Sequence, residues 1–204
     1  MADGRVQLSG APLRLGALAS GTGRTVAGIA DACARGELDA VVAVCVVTRE
    51  GAGAAERCRG RGIPVAVVPP EPAADFDDRV DAALRAHGVE LVCLCGYLRR
   101  LRVGAWRGRA LNIHPALLPD FGGAGMYGRR VHEAVLAAGR RESGCTVHWV
   151  DEQYDHGETV LQRRCPVEPG DTPETLAARV FAQEQLAYPQ AIAIAAAQVR
   201  GRSS

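Results

Sequence analysis

Asn112 and His114 stand in the run Leu111 to Pro119, which reads Leu-Asn-Ile-His-Pro-Ala-Leu-Leu-Pro, and their types and spacing suit hydrogen bonding and proton transfer. In an extended strand alternate side chains share a face, so Asn112 and His114 project together while Leu111 and Ile113 enter the core. An amide and an imidazole then share one site. Pro115 disfavours helix at His114 and cannot donate to a ladder, so the strand stops with the polar pair at its carboxyl end. Open α/β sheets bind ligands there. An isolated Asn-x-His is more often a core histidine beside a turn asparagine, so the rest of the chain has to decide. One further stretch bears on it: the acidic turn Asp151 to Thr159 can place a carboxylate opposite the pair.

The segment Ser20-Gly21-Thr22-Gly23-Arg24-Thr25 follows a strand and precedes helical spacing at Val26, Ile29, Ala30 and Cys33. The amides of Gly23, Arg24 and Thr25 are unpaired by such a helix and, with its dipole, can receive a phosphate. The competing reading is a plain turn capped by Thr22 or Thr25. A dinucleotide fingerprint fails, because Val26 replaces the third glycine and Thr48-Arg49 stands where a ribose-binding acid is wanted. Gly96-Tyr97-Leu98-Arg99-Arg100-Leu101 leaves another strand end on the same rim.

The elements that must position these groups alternate. Strands are predicted at Leu13 to Ala19, Ala40 to Val47, Pro64 to Val68, Leu91 to Cys95, Gly144 to Val150 and Val160 to Val167, besides the one through Asn112. Helices are predicted from Arg24 to about Arg35, Gly53 to Arg61, Asp75 to His87, Gly128 to Ala138, and from Thr172 to Val199 with a proline interruption at Pro189. This order makes an α/β protein with a doubly wound parallel sheet. Asp120 to Gly128, with four glycines in nine residues, is a candidate mobile flap.

At 204 residues, 48% apolar and with a net charge of +1, the chain suits one buried core and shows no nucleic-acid signature. All 24 basic residues are arginine, a bias that assigns no site. Seven scattered cysteines without a Cys-x-x-Cys pair read as reduced thiols of a cytoplasmic protein. No apolar run approaches the length of a membrane span, and no basic-then-apolar leader opens the chain. His132, His148 and His156 lack zinc spacing, so no metal is expected and each is read as structural or superficial.

Taken together, Ser-Gly-x-Gly-Arg-Thr, Gly-Tyr-Leu-Arg, Asn-Ile-His-Pro-Ala-Leu-Leu-Pro, Tyr-Asp-His-Gly, and Gln183-Glu184 with Tyr188-Pro189 resemble the 10-formyltetrahydrofolate-dependent formyltransferases from about Leu13 to Ile192. The branch acting on glycinamide ribonucleotide is the nearest match. The resemblance implies a single Rossmann-like domain over residues 1–204, with tails at about 1–12 and 200–204 and antiparallel strands late in a mostly parallel sheet. It also implies formyl transfer from 10-formyltetrahydrofolate to the amine of glycinamide ribonucleotide in purine synthesis. Asn112, His114 and Asp155 become the catalytic set, with Asn112 and a protonated His114 as oxyanion donors and Asp155 raising the imidazole's hold on its proton. Gly23, Arg24 and Thr25 take the substrate phosphate, and Glu184 its ribose or amine. Leu98, Arg99, Arg100, Leu101, Val150, Asp151 and Tyr154 face the folate.

The sequence departs from the family pattern in its flap, Gly122 to Gly128, and in a Pro69 to Ala74 loop without an arginine for the folate's glutamate tail. The expected partners are two small molecules, with neither nucleic acid nor membrane, and the assembly state, monomer or homodimer, stays open. Three related activities compete: methionyl-tRNA formylation, sugar-nucleotide N-formylation and formyltetrahydrofolate hydrolysis. The first two go with extra carboxyl-terminal sequence and the third with an amino-terminal domain. Binding of folate or nucleotide without catalysis is the remaining alternative.

Overall fold

A computed structural model describes residues 11–201; the expected tails lie outside them for residues 1–10 and 202–204. Five parallel strands, β1 (Leu13–Ala19), β2 (Ala40–Val47), β3 (Val65–Val67), β4 (Leu91–Leu94) and β5 (Ala110–His114), are followed by β6 (Glu142–Trp149) and β7 (Thr159–Pro166), which pair antiparallel. They form one sheet in the order β3-β2-β1-β4-β5-β6-β7. β1, β2 and β4 are near-continuous apolar runs because helices cover both faces. On one face α1 (Arg24–Ala34), α2 (Gly53–Arg59), α4 (Arg129–Ala137) and α5 (Pro173–Gly201) bury Val26, Ile29, Ala55, Val135, Leu176 and Ile192. On the other, α3 (Phe76–Ala86) buries Phe76, Val80 and Leu84 together with Trp106.

The predicted helices and strands fall within two residues of those observed, with one departure at the end of the chain. The expected interruption at Pro189 does not occur: α5 is a single helix of 29 residues with Pro189 inside it. Pro189 removes one helical hydrogen bond, but Ala187, Tyr188, Ala191 and Ile192 on either side of it are buried against the sheet. Packing therefore outweighs the lost bond. The predicted start is confirmed, since Thr172 Oγ1 accepts from the Thr175 amide at 3.3 Å ahead of Pro173. The hydroxyl of Tyr188 lies 3.0 Å from the carbonyl oxygens of both Leu94 and Leu111, one of which it can donate to at a time. It ties α5 to the carboxyl end of β4 and to Leu111 of β5, the residue before Asn112.

Candidate active site

The chain leaves β1 outward through β2 and β3, then returns to place β4 on the other side of β1. Loops following β1 and β4 consequently part at that junction, and a crevice opens between them. Two bonds hold its edges: the Ser20 amide donates to the Gly96 carbonyl at 3.2 Å, and the Leu98 amide to Ser20 Oγ at 3.1 Å. The crevice widens into a cavity of about 730 Å³ lined by the Gly21 to Thr25 turn, the Gly96 to Leu101 loop, Asn112, His114, Asp155 and Glu184.

At its centre the β6–β7 turn carries Asp155 across to the end of β5. Asp155 holds a left-handed backbone, φ 54°, which is uncommon outside glycine but tolerated by Asp and Asn. Its Oδ1 accepts from Asn112 Nδ2 at 3.2 Å; its Oδ2 accepts from the Gly123 amide at 3.0 Å and lies 3.3 Å from His114 Nδ1. The three residues expected to act together are thus in contact, and the flap is pinned to their carboxylate. His114 Nε2 donates to the Phe121 carbonyl at 2.8 Å.

His148, expected to be structural or superficial, belongs to this cluster. It lies opposite Asn112 in the β5–β6 register, and its Nε2 is 3.1 Å from Asn112 Nδ2. Because its Nδ1 faces the Trp149 carbonyl at 2.9 Å, that nitrogen carries the hydrogen and Nε2 is the acceptor. Both hydrogens of the Asn112 amide are therefore committed, to His148 and to Asp155, and its oxygen is left toward the cavity. This differs from the expected role of Asn112 as an oxyanion donor. The visible signal was the β6 alternation that sets His148 apart from Val147 and Trp149; what the sequence could not show was the antiparallel register.

Opposing influences set the protonation of the cluster. Burial pushes the His114 pKa down, Asp155 and the Phe121 carbonyl push it up, and the net result lies below its ordinary value. Asp155 does raise the imidazole's hold on its proton while desolvation works against it, and each ring nitrogen faces an oxygen, Nε2 the Phe121 carbonyl and Nδ1 the Asp155 carboxylate. For Asp155 burial acts upward, yet the neighbouring His148 and His114 rings and the Gly123 amide leave its carboxyl below the usual range.

The cavity has two lobes. In one, Gly23 starts α1 with φ 75°, and the helix's first amides and Arg24 face the space; the Arg24 guanidinium stacks 4.2 Å over Phe181. Glu184 joins them, its carboxyl raised by burial to about 7 against the pull of Arg24. A side chain at Gly23 would meet the Ala54 Cα at 2.5 Å, so this glycine also serves helix packing and a substitution there would not report on a ligand alone. Gly21 is different, since a Cβ there meets nothing within 4 Å. Gly21→Val is expected to weaken binding of a phosphate monoester at this turn by about tenfold or more, equivalent to about 1.4 kcal/mol, with the melting point unchanged. Calorimetry with a nucleoside monophosphate checks it.

The other lobe brings together Leu98, Arg99, Arg100, Leu101, Val150, Asp151 and Tyr154, all seven of the residues expected to face a folate. Leu98 and Tyr154 are 64% and 51% exposed, and Arg100 lies 5.9 Å above the Tyr154 ring. Of the other two histidines read as structural or superficial, His156 is superficial and bonds Asp151 Oδ2 at 2.8 Å, whereas His132 is buried and lines the cavity. Among the described residues no cluster of metal-ligand types is found.

Residues 13–192 match the formyl transferase family. The chain belongs to that family. This formyl transferase is 41% identical over 187 residues to the chloroplastic phosphoribosylglycinamide formyltransferase of Arabidopsis thaliana, covering 88% of this chain and 64% of that protein. It is 40% identical to the Vigna unguiculata protein of the same name, covering 92% and 62%. The chain thus spans less than two thirds of the length of these curated relatives. Among solved structures, glycinamide ribonucleotide transformylase 1 from Symbiobacterium toebii superposes with a TM-score of 0.86 at 37% identity, over 97% of this chain and 92% of that one.

Proposed function

We propose that this formyl transferase moves the formyl group of 10-formyltetrahydrofolate to the amine of glycinamide ribonucleotide, a step of purine synthesis. The observation that carries the reading is that the Asn112–His114–Asp155 cluster lines one cavity together with a helix-start anion site and a segment bearing exposed apolar and aromatic side chains. The first lobe suits a phosphate on the Gly23, Arg24 and Thr25 amides with Glu184 beside the ribose or amine. In the second, a flat heteroaromatic ring would cover the exposed Leu98 and Tyr154, with the backbone of Arg99 and Leu101 available for hydrogen bonds.

The reaction forms a bond from the amine nitrogen to the formyl carbon and breaks the bond from that carbon to the folate nitrogen. One proton leaves the amine and one joins the folate nitrogen. The oxygen of Asn112, with its amide hydrogens taken by His148 and Asp155, accepts an N–H of the attacking amine and aims its lone pair. His114 Nε2–H, which the Phe121 carbonyl holds at 2.8 Å, turns to the oxyanion when substrate displaces that carbonyl. Asp155, 3.3 Å from Nδ1, stabilises the charged form of the ring, whose Nε2 proton can pass on to the departing folate nitrogen while the amine gives up its own.

Seven free thiols suit a reducing compartment such as the cytoplasm, and no helix among the described residues is long and apolar enough to cross a membrane. Purified protein given the folate donor with glycinamide ribonucleotide, a dTDP-amino sugar or water alone should yield formylglycinamide ribonucleotide fastest by mass spectrometry. Faster formylation of the sugar, or faster release of formate, would overturn the assignment.

A further inference from the structure

His132 lies in α4, 5% exposed, lining the cavity beside Arg129. Its Nδ1 is sealed from solvent without any hydrogen-bond partner. Nε2 is not among the sealed, unpartnered atoms and has no hydrogen-bond partner among the described residues, and the ring lines the cavity. Packing alone does not account for a buried imidazole with neither nitrogen bonded, because an apolar side chain of that size would carry no such penalty. The reaction as described above makes no use of it.

The tautomer follows from the burial. Burial first, then the field of His114, hold the His132 pKa below its ordinary value, so the ring is neutral. Of the two neutral forms, one would seal an N–H with no acceptor, the rarer and costlier orphan. The proton therefore sits on Nε2, and the ring presents one neutral donor to the cavity.

We propose that His132 donates this Nε2–H to the amide carbonyl oxygen of the substrate's glycinamide group, and so selects an amine that carries a carbonyl at that distance. The inference rests on the function proposed above. Position supports it: His132 lines the same cavity as His114, near the start of the helix that follows the flap held to Asp155, while Arg24 and Glu184 line it beside the anion turn. Charge supports it as well, since a neutral donor matches an amide oxygen, while the cavity's phosphate lobe already has Arg24 and the α1 amides. The carbonyl lies next to the carbon bearing the amine, so holding it fixes the direction of attack.

Three variants separate this role from a packing role. His132→Gln places an amide N–H near the Nε2 position, His132→Asn places it near the sealed Nδ1 position, and His132→Leu removes it. The expected result is a KM for glycinamide ribonucleotide within ~3-fold of the parent for His132→Gln and raised ~10-fold or more for the other two, with the folate KM unchanged. An analogue with the carbonyl reduced to methylene should be discriminated against by the parent and no longer by His132→Leu. An unchanged ribonucleotide KM in His132→Leu, equal effects of Gln and Leu, or equal discrimination by parent and His132→Leu would overturn the proposal alone. A parent protein inactive on glycinamide ribonucleotide would overturn it together with the function it rests on.

Discussion

Asp155→Asn should lower turnover by about 10²–10³-fold, the scale on which loss of one preorganised electrostatic contact acts, with ribonucleotide affinity nearly intact. The carboxylate receives the Asn112 amide on one oxygen and the Gly123 amide on the other, and it faces His114 Nδ1 at 3.3 Å. An asparagine amide keeps one acceptor and turns a donor toward the groups that donate. It also removes the negative charge that stabilises a protonated His114. The backbone should tolerate the change, because Asn accepts the left-handed conformation that Asp155 adopts. Since Asp155 opposes the downward push of burial on His114, its loss leaves that push unopposed and the imidazole pKa moves lower still. Steady-state kinetics should show a fall in kcat with the ribonucleotide KM little changed, and an NMR titration should find the His114 midpoint at lower pH than in the parent. Near-native kcat would remove Asp155 from the reaction.

How much of this site could be read in the chain depends on what kind of information each residue needed. Asn112 and His114 were legible as partners because strand alternation is local, and Pro115 marked where their strand ends. The anion turn was legible for the same reason, as glycines between a strand and a helix. The acidic turn Asp151 to Thr159 was legible as a source of a carboxylate, but the choice of Asp155 within it came through family likeness, since nothing local says which of its acids crosses more than forty residues to β5. His148 was missed outright: alternation showed which neighbours it opposed, and only the pairing of β6 with β5 shows that its face is the site's. The proton affinity of His114 is not legible locally because it is a sum of opposing effects, and the larger, desolvation, depends on the whole fold closing over the ring. Pro189 was misread through the opposite error, a strong local rule overridden by the packing of its neighbours.

Gly157 shows how a motif residue can matter through the space it leaves. It stands two positions after Asp155, in the segment Tyr-Asp-His-Gly, without a positive φ to require glycine. A Cβ there would overlap the Trp149 carbonyl oxygen and approach the Trp149 carbonyl carbon to 2.8 Å. Both are backbone atoms, so no rotamer change relieves the contact. That carbonyl accepts from His148 Nδ1 at 2.9 Å, while the Trp149 amide donates to the Glu158 carbonyl at 2.9 Å, so the β6–β7 turn cannot move away without breaking its own closure. Displacing the carbonyl frees His148 to change tautomer, and Asn112 then loses the acceptor that orients its amide. Gly157→Ala is accordingly expected to destabilise the protein by about 1–3 kcal/mol, the usual scale of overpacking, and to cut kcat by about 10²-fold, as a displacement near 1 Å of reacting groups does. Thermal unfolding and steady-state kinetics measure the two separately. Gly157→Ala with parental stability and turnover would show that the turn is free to shift, and that the Asp155, His148 and Asn112 positions do not depend on its close approach to β6.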